Sequence, residues 1–305
     1  VHVHGDVYPD LMRPEAEVTT VAMIGFGAIG RHVSRLLSPE ISSGRLRLTA
    51  LVRNLDKHAE HRDLGADLIQ VESPEDPRWA DLAPAAVVEC AGVPAAETYG
   101  PAVVDAGIPF VLTSVGALAD RPTRRSLLAG PGDLHVTNGA IGGLDVLEAA
   151  AQAQALETVS ITTSKAPGGL IQSWMPAEEV RRLTELTPED GPSTIFTGSP
   201  AEAIVKFPAN VNITVALAWA TRGLGFDADA DDELMETALR RTCVEIRADP
   251  RQKYSHHEIT ATGEAGDFAF SISSTPSPEN PATSGLTAIS VTRTLRACLE
   301  GLRRR

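Results

Sequence analysis

Cysteine is scarce in this chain, aromatic residues make up only 4% of it, and its longest apolar runs are short. Each shortage excludes something. The three cysteines, Cys90, Cys243 and Cys298, are odd in number and far apart. They supply neither a disulfide framework nor a zinc-ligand spacing, which fits a reducing cytoplasm. No run approaches the roughly 20 apolar residues that a helix needs to span a bilayer. Basic charge is also in deficit: 27 Lys and Arg stand against 40 Asp and Glu, for a net charge of -13, and the only basic cluster is Arg303, Arg304 and Arg305. That balance argues against nucleic acid or an anionic membrane as a partner. It does not forbid a small anionic substrate, because a local pocket can oppose the global field. Residues 1–18, VHVHGDVYPDLMRPEAEV, lack the basic start and apolar core of a signal peptide. They are expected to be a leader without a fold of its own, with His2 and His4 ordinary residues rather than metal ligands.

What is present is an alternation of apolar runs and helical patterns over 305 residues, a length that calls for two domains. In TTVAMIGFGAIG the apolar run Val21 to Ile24 feeds into Gly25-Phe26-Gly27-Ala28-Ile29-Gly30, and a helical pattern continues through Leu37. The glycines have separate tasks: Gly25 permits the tight turn, Gly27 lets the backbone approach a pyrophosphate, and Gly30 lets the helix pack on the strand. The helix N-terminus offers free N–H groups and a partial positive charge to the phosphates. In this strand–turn–helix setting the GxGxxG pattern reads as a dinucleotide site.

The next strand, RLRLTALVRN, ends on Arg53 and Asn54, where an acid usually binds the ribose 2′-hydroxyl. Arginine there accommodates a 2′-phosphate, so the coenzyme is NADP or NAD. Alternatively Arg53 stacks on adenine while Asn54 or Asp56 meets the ribose. PAAVVECAG and IPFVLTSVG are two further buried strands, ending in the loops Cys90-Ala91-Gly92 and Ser114-Val115-Gly116. Loops at the carboxyl ends of parallel strands face the ligand crevice, so Cys90 and Ala91 are expected beside the nicotinamide half. Cys90 reads as a packing residue, since no base is arranged to activate it.

After NGAIGGLD the pattern changes. VSITTSK, STIFTG, CVEIRAD, HEITATG and DFAFSIS are half-apolar strands, interrupted by the helical stretches NITVALAWATRGL and DDELMETALRRT. They predict an open sheet with helices on one face and the other face free to close over the coenzyme. The last helix, LTAISVTRTLRACLEGL, is expected to pack back on the first domain. The fold class is therefore α/β: a Rossmann dinucleotide-binding domain over 19–139, with the helix 285–302 packed back on it, and an α+β substrate domain with an open mixed sheet over 140–284.

GFGAIGR, VVECAG, TSVGALAD, NGAIGGLD, KFPANVN, ADP…H and SPENPATS occur in this order, and from about residue 19 to residue 300 the chain resembles the L-aspartate dehydrogenase family. The resemblance implies hydride transfer between an amino acid Cα and nicotinamide, an imine product, a homodimer, and a product that can feed NAD biosynthesis. It implies a catalytic histidine after the ADP segment, which in ADPRQKYSHHEIT aligns with His257. The family's asparagine two residues earlier is replaced by Ser255. An ordinary imidazole pKa near 6.5 suits such a group for acid/base work. Because neighbouring strand side chains point oppositely, His256 should face away if His257 faces in.

By the same resemblance Lys165 pairs with a substrate carboxylate. Asn210 or Asn212, more in keeping with the family Asn212, reaches nicotinamide or substrate, and the Ala140 backbone lies along the coenzyme. Without the resemblance, Lys165 reads equally as a surface lysine and the asparagines as helix caps. Glu279, Asn280 and Thr283 either line the cleft or only shape a loop. Two segments, 173–193 and 227–242, exceed what the family needs, and either modify a lid or interface or decorate the surface. A related dehydrogenase or imine reductase for another small amino or keto acid is the alternative, and a non-catalytic dinucleotide sensor a second.

Overall fold

The near-continuous apolar runs of the first half form buried parallel strands, which need hydrophobic cover on both faces. The computed structural model describes residues 18–304 apart from 75 and 208–210. The expected leader, except Val18, and Asn210 therefore lie outside the described residues. β1 (Thr19–Ile24) leads through the glycine turn into α1 (Ala28–Leu36). Then come β2 (Leu46–Val52), β3 (Ala66–Gln70), β4 (Ala86–Glu89), α2 (Val93–Asp105), β5 (Phe110–Leu112), α3 (Arg121–Ala129) and β6 (Leu134–Val136). These strands form one six-stranded parallel sheet in the order β3-β2-β1-β4-β5-β6. The winding direction reverses between β1 and β4, and a crevice opens at the carboxyl ends of strands at such a point.

The second half contains α4 (Leu144–Gln152), β7 (Thr158–Lys165), α5 (Ala177–Glu185), β8 (Ser193–Gly198), α6 (Pro200–Lys206), α7 (Val211–Ala220) and α8 (Ala228–Arg241). β9 (Thr242–Ala248), β10 (Ser255–Gly263), β11 (Gly266–Ser274) and the final helix α9 (Gly285–Arg303) complete it, with a short hairpin at 276–284 before α9. The five strands are ordered β11-β10-β7-β9-β8. β7 and β9 are parallel and the other pairs antiparallel, so the sheet is mixed.

Val291, Leu295 and Cys298 of α9 share one buried cluster with Val21, Met23 and Val88 of the first sheet. A second cluster runs without a break from Ile24, Val87 and Leu112, through Ala216 and Leu217 of α7, to Ile161, Val244 and Ile259. The two sheets thus share a continuous core, which fixes the crevice between them.

Strand alternation decides which side of the second sheet meets that crevice. Along β10, His257, Ile259 and Ala261 are buried while Glu258 and Thr260 are exposed. The expectation that the uncovered face would close over the coenzyme is overturned. The uncovered face carries His256, Glu258 and Thr260, and the crevice sits at the end of the helix-covered face, beyond Ile213 of α7.

The two extra segments have defined places. α5 lies in the first. α8, in the second, docks its acidic face on α3 of the first half. Arg124, fully buried, donates from Nε to Asp232 Oδ1 at 2.6 Å, from Nη2 to Glu236 at 3.1 Å and from Nη1 to the Leu118 carbonyl at 2.8 Å. Arg121 adds a 2.9 Å bond to the other Asp232 oxygen.

Candidate active site

The glycine turn has the shape a diphosphate needs. Gly25 has φ +88°, a left-handed conformation, and a Cβ on it would stand 2.7 Å from the Ala91 Cβ. A Cβ on Gly30 would stand 2.7 Å from the Gly25 carbonyl oxygen and 2.9 Å from the Met23 sulfur, so helix and strand can approach only because it is absent. At Gly27 a Cβ would meet nothing within 4 Å. The space it would occupy belongs to a cavity of about 530 Å³ lined by Gly25, Phe26, Gly27, Arg53, Asn54, Cys90 and Ala91. The turn therefore leaves an open cradle in front of a helix N-terminus, and the residues present fit a dinucleotide.

Cys90 also lines a second cavity, of about 230 Å³, so the two lie on either side of this residue. Into the second cavity come Ile29, Ser114, Ala140, Lys165, Asn212, Ser255 and His257. These residues are contributed by α1, the β5 loop, the NGAIGG loop, the end of β7, the start of α7 and the start of β10. A further recess of about 240 Å³ shares Lys165, Ser255, Thr283 and Ser284 with it, and adds Lys253 and Tyr254. Arg53 and Asn54 line the first cavity, whereas Lys165 lines the second and the recess. A cavity of about 540 Å³ beside β6 shares no lining residue with any of these.

His257 is 3% exposed and opposes Thr163 of β7 in register. Its Nδ1 lies 3.0 Å from the Thr163 hydroxyl. Burial, then the charges of Lys165 and His256, push its pKa down to about 3. The expectation of an ordinary imidazole near 6.5 is corrected accordingly: in the uncomplexed protein His257 is neutral throughout the physiological range. His256 turns to the other face, where its Nδ1 meets the Ser273 hydroxyl at 2.7 Å. Burial also holds the Lys165 ammonium below its usual pKa. The Asn212 side-chain oxygen accepts the Gly116 N–H at 2.9 Å, tying α7 to the β5 loop.

Glu89, at the end of β4, has no exposed surface. Its Oε1 accepts the N–H of Ala91 at 2.6 Å, the N–H of Gly92 at 2.8 Å and the Ser114 hydroxyl at 2.9 Å; Oε2 accepts the Ser114 N–H at 2.8 Å. Burial pushes its carboxyl pKa up against the opposing pull of these donors. One side chain thereby holds together the two loops that border the crevice. Burial and the Glu89 charge push the Cys90 thiol up, which makes it a poor nucleophile.

Sequence reasoning singled out Cys90 in VVECAG and passed over Glu89, although an acid in an apolar strand is a visible signal. It also passed over Lys57 and His58 of the first cavity and Lys253 of the recess. Thr163 gave no local signal, because only the strand register brings it to His257. Glu279 is drawn to α1, where it pairs with Arg31 at 2.6 Å and with Arg35. Among the described residues no group of His, Cys, Asp and Glu could hold a metal ion, and no helix is long and apolar enough to cross a membrane.

Comparison with known proteins agrees with this architecture. Residues 145–298 match the family profile "Aspartate dehydrogenase, C-terminal", and residues 25–131 match "Homoserine dehydrogenase, NAD binding domain". The chain is 36% identical to an L-aspartate dehydrogenase of Ruegeria pomeroyi over 93% of its own length and 94% of that protein's. It is 31% identical to one of Serratia proteamaculans, over 92% and 97% respectively. Among solved structures it is similar in fold to an aspartate dehydrogenase of Thermotoga maritima, with a TM-score of 0.63, 21% identity, and 93% and 96% of the two chains covered. Both the substrate half and the nucleotide half are matched in one continuous alignment, so the chain belongs to the L-aspartate dehydrogenase family.

Proposed function

We propose that this chain is an NAD(P)-dependent L-aspartate dehydrogenase, an oxidoreductase acting on a CH–NH2 group. The observation that carries the reading is the placement of a buried histidine and a half-buried lysine in one small cavity that shares Cys90 with the glycine-turn pocket. Gly25 to Gly30, Cys90, Ala91 and Ala140 hold the coenzyme in this reading, with Asn212 at its nicotinamide end. The coenzyme supplies the two-electron acceptor, or donor in reverse, for the substrate Cα.

The chain's own groups do the rest. Lys165 receives one substrate carboxylate, and the recess with Lys253, Ser255 and Ser284 receives the other. Burial is the main cause that depresses His257 and the Lys165 charge the second, so a carboxylate at Lys165 offsets that second cause and moves the imidazole toward greater basicity. His257 then takes the proton that leaves the substrate ammonium, since only a neutral amine releases hydride from its carbon. On the water side of the reaction it activates the molecule that converts iminosuccinate to oxaloacetate and ammonia. Thr163 fixes the ring through Nδ1. The homodimer and a supply role in NAD biosynthesis belong to the same proposal and rest on the family resemblance, and the cytoplasmic location rests on the sparse, unpaired cysteines.

The test follows NADPH and NADH absorbance with oxaloacetate plus ammonia, and coenzyme reduction with L-aspartate, across a panel of amino and keto acids. Turnover selective for the four-carbon dicarboxylates is expected. Turnover confined to another amino acid would replace the substrate, and coenzyme binding without any turnover would favour a sensor.

A further inference from the structure

The cavity beside the glycine turn has an uneven charge. Its described lining includes three bases, Arg53, Lys57 and His58, and not one carboxylate. Arg53 follows β2, whereas Lys57 and His58 belong to the 3-10 turn Asp56–Leu64. Asn54 links the two: its side-chain oxygen accepts the Asp56 N–H at 2.9 Å and the Lys57 N–H at 3.4 Å, which turns the chain back on itself. Its oxygen is therefore already engaged. His58 stands edge-on to Phe26, with ring centroids 6.0 Å apart, and its Nδ1 is buried without a hydrogen-bond partner. Burial, then the charges of Arg31, His61 and Lys57, hold this imidazole below its usual pKa. The charged side chains lining this cavity, Arg53 and Lys57, are positive although the whole chain carries -13.

A coenzyme with a bare ribose offers a diol at the end of the second strand, and the usual partner for that diol is an acidic acceptor. This pocket has donors instead. A phosphate monoester brings about two negative charges and three acceptor oxygens, which matches the two cations Arg53 and Lys57 beside the imidazole of His58. We infer that Arg53, Lys57 and His58 form a site for a ribose 2′-phosphate, so that the chain selects NADP over NAD. The inference rests on the reading that this cavity holds the adenosine half of the coenzyme.

Calorimetric titration of the full chain with 2′,5′-ADP and with 5′-AMP tests it without any turnover. The first nucleotide should bind at least about tenfold tighter, with an advantage that shrinks as salt is raised. Arg53→Ala and Lys57→Ala should each weaken 2′,5′-ADP by about fivefold or more while changing 5′-AMP by about twofold or less. Equal affinity for the two nucleotides, or an advantage that survives the Arg53→Ala/Lys57→Ala double variant, overturns the inference and leaves the coenzyme pocket intact. Failure of either nucleotide, NADP or NAD to bind removes the pocket's coenzyme role and the inference with it.

Discussion

At the scale of single residues, the site depends on two groups whose environments oppose their charged forms. His257 is neutral because it is buried and because Lys165 lies near it. Removing the lysine charge should therefore act on the histidine as well as on the substrate. Lys165→Met is expected to raise the His257 pKa, read by NMR titration of the ring, and to raise KM for oxaloacetate by roughly tenfold to a hundredfold, the worth of one charged hydrogen bond. A merely superficial lysine would move neither quantity. His257→Ala should lower kcat by about two to four orders of magnitude, the usual contribution of a positioned acid or base. An unaltered kcat in that variant would remove the proposed role.

At the scale of elements, much of the architecture is legible because the signals are local. A continuous apolar run before GxGxxG identifies β1 and α1, and the alternation in HHEIT places the two histidines on opposite faces of β10. What is not legible depends on contacts between distant segments. Which face of the second sheet carries helices is decided by the shared core, and the Thr163 partner of His257 by register between strands 94 residues apart. The acidic helix α8 looks like surface in isolation, and its partners Arg121 and Arg124 lie more than a hundred residues earlier.

Glu89 is an intermediate case, visible as an acid in a strand but interpretable only once both loops surround it. Glu89→Gln preserves size while turning an NH2 group toward N–H donors that previously met an acceptor. The two oxygens take three donors and one donor respectively, so a glutamine loses least by placing its amide nitrogen at the single-donor site, facing the Ser114 N–H. Chemical denaturation should show a loss of about 1–3 kcal/mol, the cost of one unsatisfied buried group, together with weaker coenzyme binding as the loops part. Unchanged stability would show that Glu89 is already protonated in the native state.

At the scale of the whole molecule, the buried groups Asp232, Glu89 and His257 each contribute to the response to acid, and their signs differ. For Asp232, burial raises the carboxyl pKa, but Arg124 and Arg121 outweigh it and hold the group below its ordinary value. Its stabilising contribution is present above that ordinary value and is lost as pH falls through the depressed one. Glu89 is raised, so its charged form costs stability at neutral pH, and protonation relieves that cost on acidification. His257 is lowered from 6.5 to about 3. Between those values the unfolded chain binds a proton that the folded chain refuses, so stability falls with pH throughout the window. Lowering pH from 6.5 to 5 should cost about 2 kcal/mol through this group alone, at 1.36 kcal/mol per pKa unit. Comparing wild type with His257→Gln isolates it, since Asp232 and Glu89 are common to both. The stability difference between the two proteins, from urea midpoints at pH 7.5 and pH 5, should shift by that amount against the wild type. A difference independent of pH would mean that His257 opens to solvent in the folded protein, and the buried cleft proposed for catalysis would have to be abandoned.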